Sequence, residues 1–154
     1  MQNGSIRDHE KLLKSKFENI STPSISKERI KILIVDDERS ILKILKDLLN
    51  RKGYSVMTAI NGKEAMKNFI SAHFDLVITD LNMPHMDGRT LAGKIKEKAN
   101  IPVILLTGDK HTSGNRTQKE PNIDYILFKP FNFLEIENAI QLMLAKSKTG
   151  RSIS

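Results

Sequence analysis

The chain has no cysteine at all. That excludes disulfides, thiolate metal sites and thiol nucleophiles, and it fits a reducing compartment. Aromatics are scarce, at 5% of the 154 residues. So few rings leave little for base stacking, and the basic ends carry no aromatic stacking motif. No apolar run approaches the length of a membrane span. The opening MQNGSIRDHEKLL lacks the apolar stretch of a secretory leader. The expectation is a cytoplasmic protein with no membrane span.

What is present supports one domain with a real core. Hydrophobic residues make up 39%, enough for a globular fold. The net charge of +7 is unevenly placed. Residues 1–30 carry six basic and four acidic side chains, and residues 146–154 carry three basic and none acidic. Basic ends of this kind serve as solubilising tails or touch acidic surfaces and nucleic acid.

Three regions follow from the pattern. Residues 1–29 form an N-terminal extension in which Ile6, His9, Leu13, Phe17 and Ile20 share a helical face. STPSIS, Ser21 to Ser26, reads as a linker. The extension can pack on the domain, pair with a second copy or address a partner, so a homodimer is one of its readings. Residues 30–146 alternate strand and helix. The tail, 147–154, shows no periodicity and is expected to be disordered.

Within the middle region, KILIV (31–35) is a short apolar run suited to a strand buried on both faces. Residues 38–51 predict a helix with Ile41, Ile44, Leu45, Leu48 and Leu49 inward and Gly53 as its stop. YSVMTA (54–59) is a second strand. Asn61 and Gly62 open a second helix that buries Ala65, Met66, Phe69 and Ile70. FDLVIT (74–79) is a third strand running into Asp80. Gly88 leads into a third helix with Leu91, Ala92 and Ile95 inward. PVILLT (102–107) and IDYILF (123–128) are the fourth and fifth strands. A last helix buries Phe133, Ile136, Ile140, Met143 and Leu144. Between the last two strands, GDKHTSGNRTQKEPN lacks apolar periodicity, so a fourth helix there is expected to be weak or short.

This alternation predicts an α/β fold: a doubly wound, five-stranded parallel sheet of the flavodoxin-like (βα)5 type. In such sheets, ligands sit beyond the carboxyl ends of the strands. There the chain places Asp36, Asp37, Asp80, Thr107 and Lys129. Each alone has an ordinary reading, such as a turn former or helix cap. Together, in order, they gather acids, a hydroxyl and an amine at one edge. Three carboxylates in one cleft repel one another. A divalent cation and an ammonium balance them, and Mg²⁺ favours such oxygen ligands. An ionised carboxylate beside them can attack phosphorus.

The pieces IVDDE (34–38), VITDLNMPHMDG (77–88), ILLTG (104–108) and FKPF (128–131) resemble the receiver domain of two-component response regulators, of the single-domain chemotaxis-regulator type. The resemblance covers residues 30–146. It implies that Asp80 is the phosphoacceptor and Asp37 a direct Mg²⁺ ligand, with Asp36 holding the ion through water. It implies that the backbone carbonyl of Asn82 ligates the metal. Thr107 and Lys129 match the hydroxyl and ammonium that meet the phosphoryl group, and Lys129–Pro130 matches a bond usually held cis. Asn82 and Asp109 match positions that tune dephosphorylation.

One departure concerns the switch. Its aromatic position is occupied by Ile126, and Tyr125 lies one residue earlier. One step along a strand reverses the face, so Tyr125 is not expected to act as the usual rotamer switch.

The implied partners are a histidine kinase or a histidine phosphotransfer protein, and a downstream protein target. Such a protein is not an enzyme beyond catalysing its own phosphorylation and dephosphorylation. No output domain follows residue 146, so a single-domain signal protein is expected. Three alternatives stand beside it. A pseudo-receiver would signal without phosphorylation. An aspartyl-phosphate phosphatase would commonly carry a second acid where Asn82 stands. A nucleic-acid binder would rest on charge alone.

Overall fold

A computed structural model describes residues 29–109 and 120–152, with side chains described as far as residue 148. The N-terminal extension and the core of the segment expected to hold a weak helix lie outside the described residues.

Five strands form one sheet: β1 (Lys31–Val35), β2 (Ser55–Ala59), β3 (Leu76–Asp80), β4 (Val103–Thr107) and β5 (Tyr125–Phe128). Their order is β2-β1-β3-β4-β5, and every pairing is parallel. Among the described residues, four helices join and flank them: α1 (Arg39–Arg51), α2 (Gly62–Ser71), α3 (Gly88–Lys98) and α4 (Phe133–Ser152). The expected doubly wound architecture is therefore present. Chain order reverses between β1 and β3, which opens a crevice at their carboxyl ends.

The apolar runs explain which strands lie inside. β3 and β4 are buried along their whole length, and β1 is buried after its first residue. Parallel strands covered on both faces read as continuous apolar runs for this reason. The two faces form separate cores. Ile32, Ile34, Ile78, Ile104 and Leu106 pack with residues of α1 and α4. Leu33, Val35, Val77 and Val103 pack with residues of α2 and α3.

Helix ends follow local chemistry. The side chains of Asn61, Asp87 and Asn132 accept from the backbone N–H of Glu64, Thr90 and Glu135, each satisfying an orphan donor of a first turn. Gly53 follows α1 with φ at 97°, a left-handed conformation that glycine adopts without strain. The expected stop is therefore real.

Three sequence expectations need correction. Ile44, expected inward, is 58% exposed; α1 instead buries Leu42, Leu45 and Leu49. Ile70, expected inward, is 68% exposed, while Gly62, Ala65 and Phe69 are buried. Both helices carry adjacent apolar residues, and a helix lying on a sheet buries only one stripe. Ile44 stands more than a quarter turn from the centre of that stripe. The third correction is the tail. α4 continues through Ser152, so residues 147–152 are helical backbone rather than disordered. Once the packed turns around Ile136, Ile140 and Met143 nucleate the helix, each added residue extends it at little cost, with or without an apolar pattern.

Candidate functional site

Asp36 stands immediately past β1, and its backbone N–H donates to the Ala59 carbonyl at 3.1 Å. Its side chain is 0% exposed. Oδ1 accepts from the Glu38 N–H at 2.9 Å, while Oδ2 has no hydrogen-bond partner among the described residues. Asp37, next along, is exposed. Asp80 is the last residue of β3 and is buried. Oxygens of Asp36, Asp37 and Asp80 all lie within 4.8 Å of one another.

Lys129 supplies the opposing charge. It follows β5, and its N–H donates to the Thr107 carbonyl at 2.8 Å. The bond to Pro130 is cis, as the resemblance implies. The ammonium stands 3.1 Å from Asp80 Oδ1 and 3.6 Å from Asp36 Oδ2. Thr107 closes β4 and is buried, and its Oγ1 accepts from the Asp109 N–H at 3.0 Å.

The loop after β3 is tied down rather than free. Leu81 N–H donates to Leu106 O, and Gly88 N–H donates to Leu81 O. Leu81 and Met83 are buried, whereas Asn82 between them is exposed. Gly88 is pressed onto the Asp80 backbone, where a Cβ would stand 2.4 Å from the Asp80 carbonyl oxygen. Only a residue without a side chain fits so close an approach.

Electrostatics make the cluster hungry for a cation. Burial raises the Asp80 pKa; the Lys129 hydrogen bond and charge oppose that, and the Asp37 charge adds to it. Burial likewise raises Asp36, helped by the charges of Asp80 and Asp37 against the Glu38 N–H and Lys129. Burial acts against the Lys129 ammonium, yet its hydrogen bond with Asp80 and the charges around it raise its pKa on balance. Among the described residues, one ammonium thus faces the cluster of three carboxylates, and one buried carboxylate oxygen lacks a hydrogen bond. A hard divalent cation with oxygen ligands fits that donor set.

The structure thus brings together Asp36, Asp37, Asp80 and Lys129, with Thr107 anchored beside them. Asn82 and Asp109 are exposed on the adjoining loops. Tyr125 and Leu127 pair with Ile104 and Leu106 and pack against the α1/α4 core. Ile126 pairs with Leu105 on the opposite face.

Sequence reasoning missed Glu120, which accepts two hydrogen bonds from Arg89. It lies in a stretch without periodicity, and no spacing rule links residues 31 positions apart.

Comparison with known proteins agrees with this geometry. The response regulator receiver domain family matches residues 32–141. A probable transcriptional regulator, ycf27, of Cyanidium caldarium is 40% identical over 124 residues, 80% of this chain and 50% of that protein. The chain spans about half the length of the curated relatives it matches. The response regulator protein TrrA of Thermotoga maritima, solved in complex with Mg²⁺-BeF, is 39% identical with a TM-score of 0.66, covering 74% of this chain and 98% of that one. TrrA was also solved in complex with the histidine kinase ThkA; there the identity is again 39% and the TM-score 0.66, over 75% of this chain and 98% of that one. A family match over most of the chain, joined to an acid cluster and lysine at the strand ends, shows that the chain belongs to the response regulator receiver domain family.

Proposed function

We propose that the protein accepts a phosphoryl group on Asp80 and signals by phosphorylation-dependent protein binding. The donor is a phosphohistidine of a sensor histidine kinase or of a histidine phosphotransfer protein. One observation carries this reading: Asp80 stands at a central strand end with Lys129 Nζ 3.1 Å away and two further carboxylates within 4.8 Å. The TrrA complexes with Mg²⁺-BeF and with a histidine kinase support it.

Mg²⁺ is the cofactor in this reading. Asp37, Asp80 and the Asn82 backbone carbonyl would hold it directly, and Asp36 through water. When bound, it supplies positive charge against the carboxylates and the phosphoryl oxygens.

The chain's own groups do the rest. A carboxylate oxygen of Asp80 attacks phosphorus, and an acyl phosphate bond forms. The bond from phosphorus to the donor imidazole nitrogen breaks, and its electron pair leaves with the ring. Lys129, already on Asp80, balances charge on the phosphoryl oxygens. The Thr107 hydroxyl keeps its own proton to donate, because its oxygen accepts from Asp109 N–H.

Asn82 and Asp109, both exposed beside the site, tune the approach of water and so the lifetime of the acyl phosphate. The readout does not use the usual aromatic rotation, since Ile126 is aliphatic and Tyr125 packs on the other face. In this reading the protein is no enzyme beyond its own phosphorylation and dephosphorylation, and it works in the cytoplasm beside its donor. Among the described residues, no helix is long and apolar enough to cross a membrane.

Intact mass after incubation with Mg²⁺ and acetyl phosphate tests the proposal. A gain of one phosphoryl group is expected in the native chain, absent in Asp80→Asn and abolished by chelation. No gain in the native chain, with Mg²⁺ binding shown separately, would overturn it in favour of a pseudo-receiver.

A further inference from the structure

Arg89 directly follows the glycine that sits against Asp80. Its guanidinium meets Glu120 in a two-point bridge, Nε to Oε2 at 2.7 Å and Nη2 to Oε1 at 2.8 Å. The Glu120 side chain is largely shielded from solvent. A paired, planar bridge of this kind is stronger and more directional than a single ion contact. Each partner holds the other charged: the bridge raises Arg89 and lowers Glu120 against the opposing effect of burial.

The bridge joins α3 to the short segment that enters β5. One other tie runs alongside, and Asn122 lies close by, its Nδ2 3.6 Å from where a Cβ on Gly93 would stand. Lys96 Nζ donates to Asp124 Oδ2 and to the Ile101 carbonyl, both at 2.7 Å. The segment 120–124 is therefore held against α3 by polar contacts at both its ends, Glu120 with Arg89 and Asp124 with Lys96.

Following the chain from both ends of the bridge shows what it connects. On the α3 side, Gly88 is seated on the Asp80 carbonyl, and its N–H donates to Leu81 O. On the other side, β5 runs from Tyr125 to Phe128 and delivers Lys129, whose ammonium returns to Asp80. The path is a closed ring: Asp80, Gly88, Arg89, Glu120, β5, Lys129, Asp80. Arg89–Glu120 is the two-point side-chain link that closes this ring.

We propose that Arg89 and Glu120 are a positioning pair for phosphoryl transfer, and that their bridge sets where the Lys129 ammonium stands relative to Asp80. Neither touches the reacting atoms; both act through α3 and β5. The proposal rests on Asp80 being the acceptor. A displacement of the ammonium by a fraction of an ångström is enough to slow the transfer, because the reaction depends on groups already in place.

The test uses the full chain with Mg²⁺ and acetyl phosphate, in Arg89→Lys, Glu120→Gln and the double swap Arg89→Glu/Glu120→Arg. Lys96→Ala, which cuts a neighbouring tie on the same segment, is the control. Each single variant is expected to phosphorylate roughly tenfold more slowly, and the swap to recover most of the loss. The control is expected to melt earlier yet react within about twofold of the native rate. A second readout needs neither metal nor donor: the Lys129 side-chain nitrogen resonance shifts in Glu120→Gln and stays in Lys96→Ala.

Folded single variants that react within twofold of the native chain would overturn the proposal, as would a swap no faster than the singles. Failure of the native chain to take up phosphate would sink the acceptor role of Asp80 instead. In that event an unmoved Lys129 resonance in Glu120→Gln would still refute the positioning by the bridge.

Discussion

Aspartates occupy both ends of this sheet, and they are treated in opposite ways. At the amino end, Asp75 stands one residue before β3 and Asp124 one residue before β5. Each gives its N–H to the carbonyl of the first residue of the neighbouring strand, Lys31 or Val103, and accepts that same residue's N–H on its carboxylate. Lys96 adds a third bond to Asp124. These are satisfied carboxylates that start two strand pairs in register. At the carboxyl end, among the described residues, Asp36 and Asp80 are buried beside each other, share one lysine, and leave Asp36 Oδ2 without a hydrogen bond. The same side chain thus serves as a fastener at one end and as stored electrostatic tension at the other. Tension of that kind marks a site built to receive charge.

Mutations should separate the two ends. The largest effect is expected from Lys129→Met, which leaves buried Asp36 with no cation beside it among the described residues. In metal-free protein at neutral pH, denaturant titration should show a loss of about 3 kcal/mol, the lower end for breaking a buried pair because Lys129 is 26% exposed. The raised pKa of Lys129 means its contribution is whole at neutral pH and fades only as alkaline pH passes its folded value. Mg²⁺ should restore much of the loss by supplying charge at the same place. A loss that Mg²⁺ leaves untouched would remove the cluster's claim to hold a cation.

At the other end, Asp124→Ala strips acceptors from the Val103 N–H and the Lys96 ammonium. A cost of about 2 kcal/mol is expected, measured the same way. Mg²⁺ should do nothing for this variant; rescue by the ion would erase the contrast between the two ends.

The smallest effect has the opposite sign. Asp80→Asn should stabilise the metal-free protein by about 1 kcal/mol at neutral pH, since it removes a charge from a crowded pair. Burial raises the folded pKa of Asp80, so its contribution to stability is present below the unfolded carboxylate value, about 4, and is lost as pH rises through the folded value. The melting-temperature gap between Asn variant and native chain should therefore open as pH rises. A gap that stays flat from pH 4 to pH 8, values chosen to bracket about the usual carboxylate and histidine ranges, would mean Asp80 feels no such tension.

Much of this was legible because it is local. Each of Asp36, Asp80, Thr107 and Lys129 follows or closes an apolar run, so one rule about parallel sheets places them at one edge. The helix faces were harder. Ile44 beside Leu45, and Ile70 beside Phe69, offer two overlapping stripes, and only the sheet decides which is covered. Glu120 was beyond reach. It sits in a stretch of mixed polar residues, and its partner Arg89 is set by tertiary packing rather than by any repeat. Strand alternation sets Tyr125 and Ile126 on opposite faces; Tyr125 packs with the α1/α4 core and Ile126 pairs with Leu105.

The strand order also dictates when the site can exist. β1 is the first strand made, yet it lies between β2 and β3, and β5 with its lysine comes last. Parallel pairings of this sort join distant parts of the chain, and the cost of closing those loops comes before the contacts that repay it. As the chain leaves the ribosome, the aspartates emerge well ahead of the Lys129 ammonium that faces them. Among the described residues, the acidic cluster therefore meets its ammonium only once β5 docks, and the arrival of a single side chain completes the site.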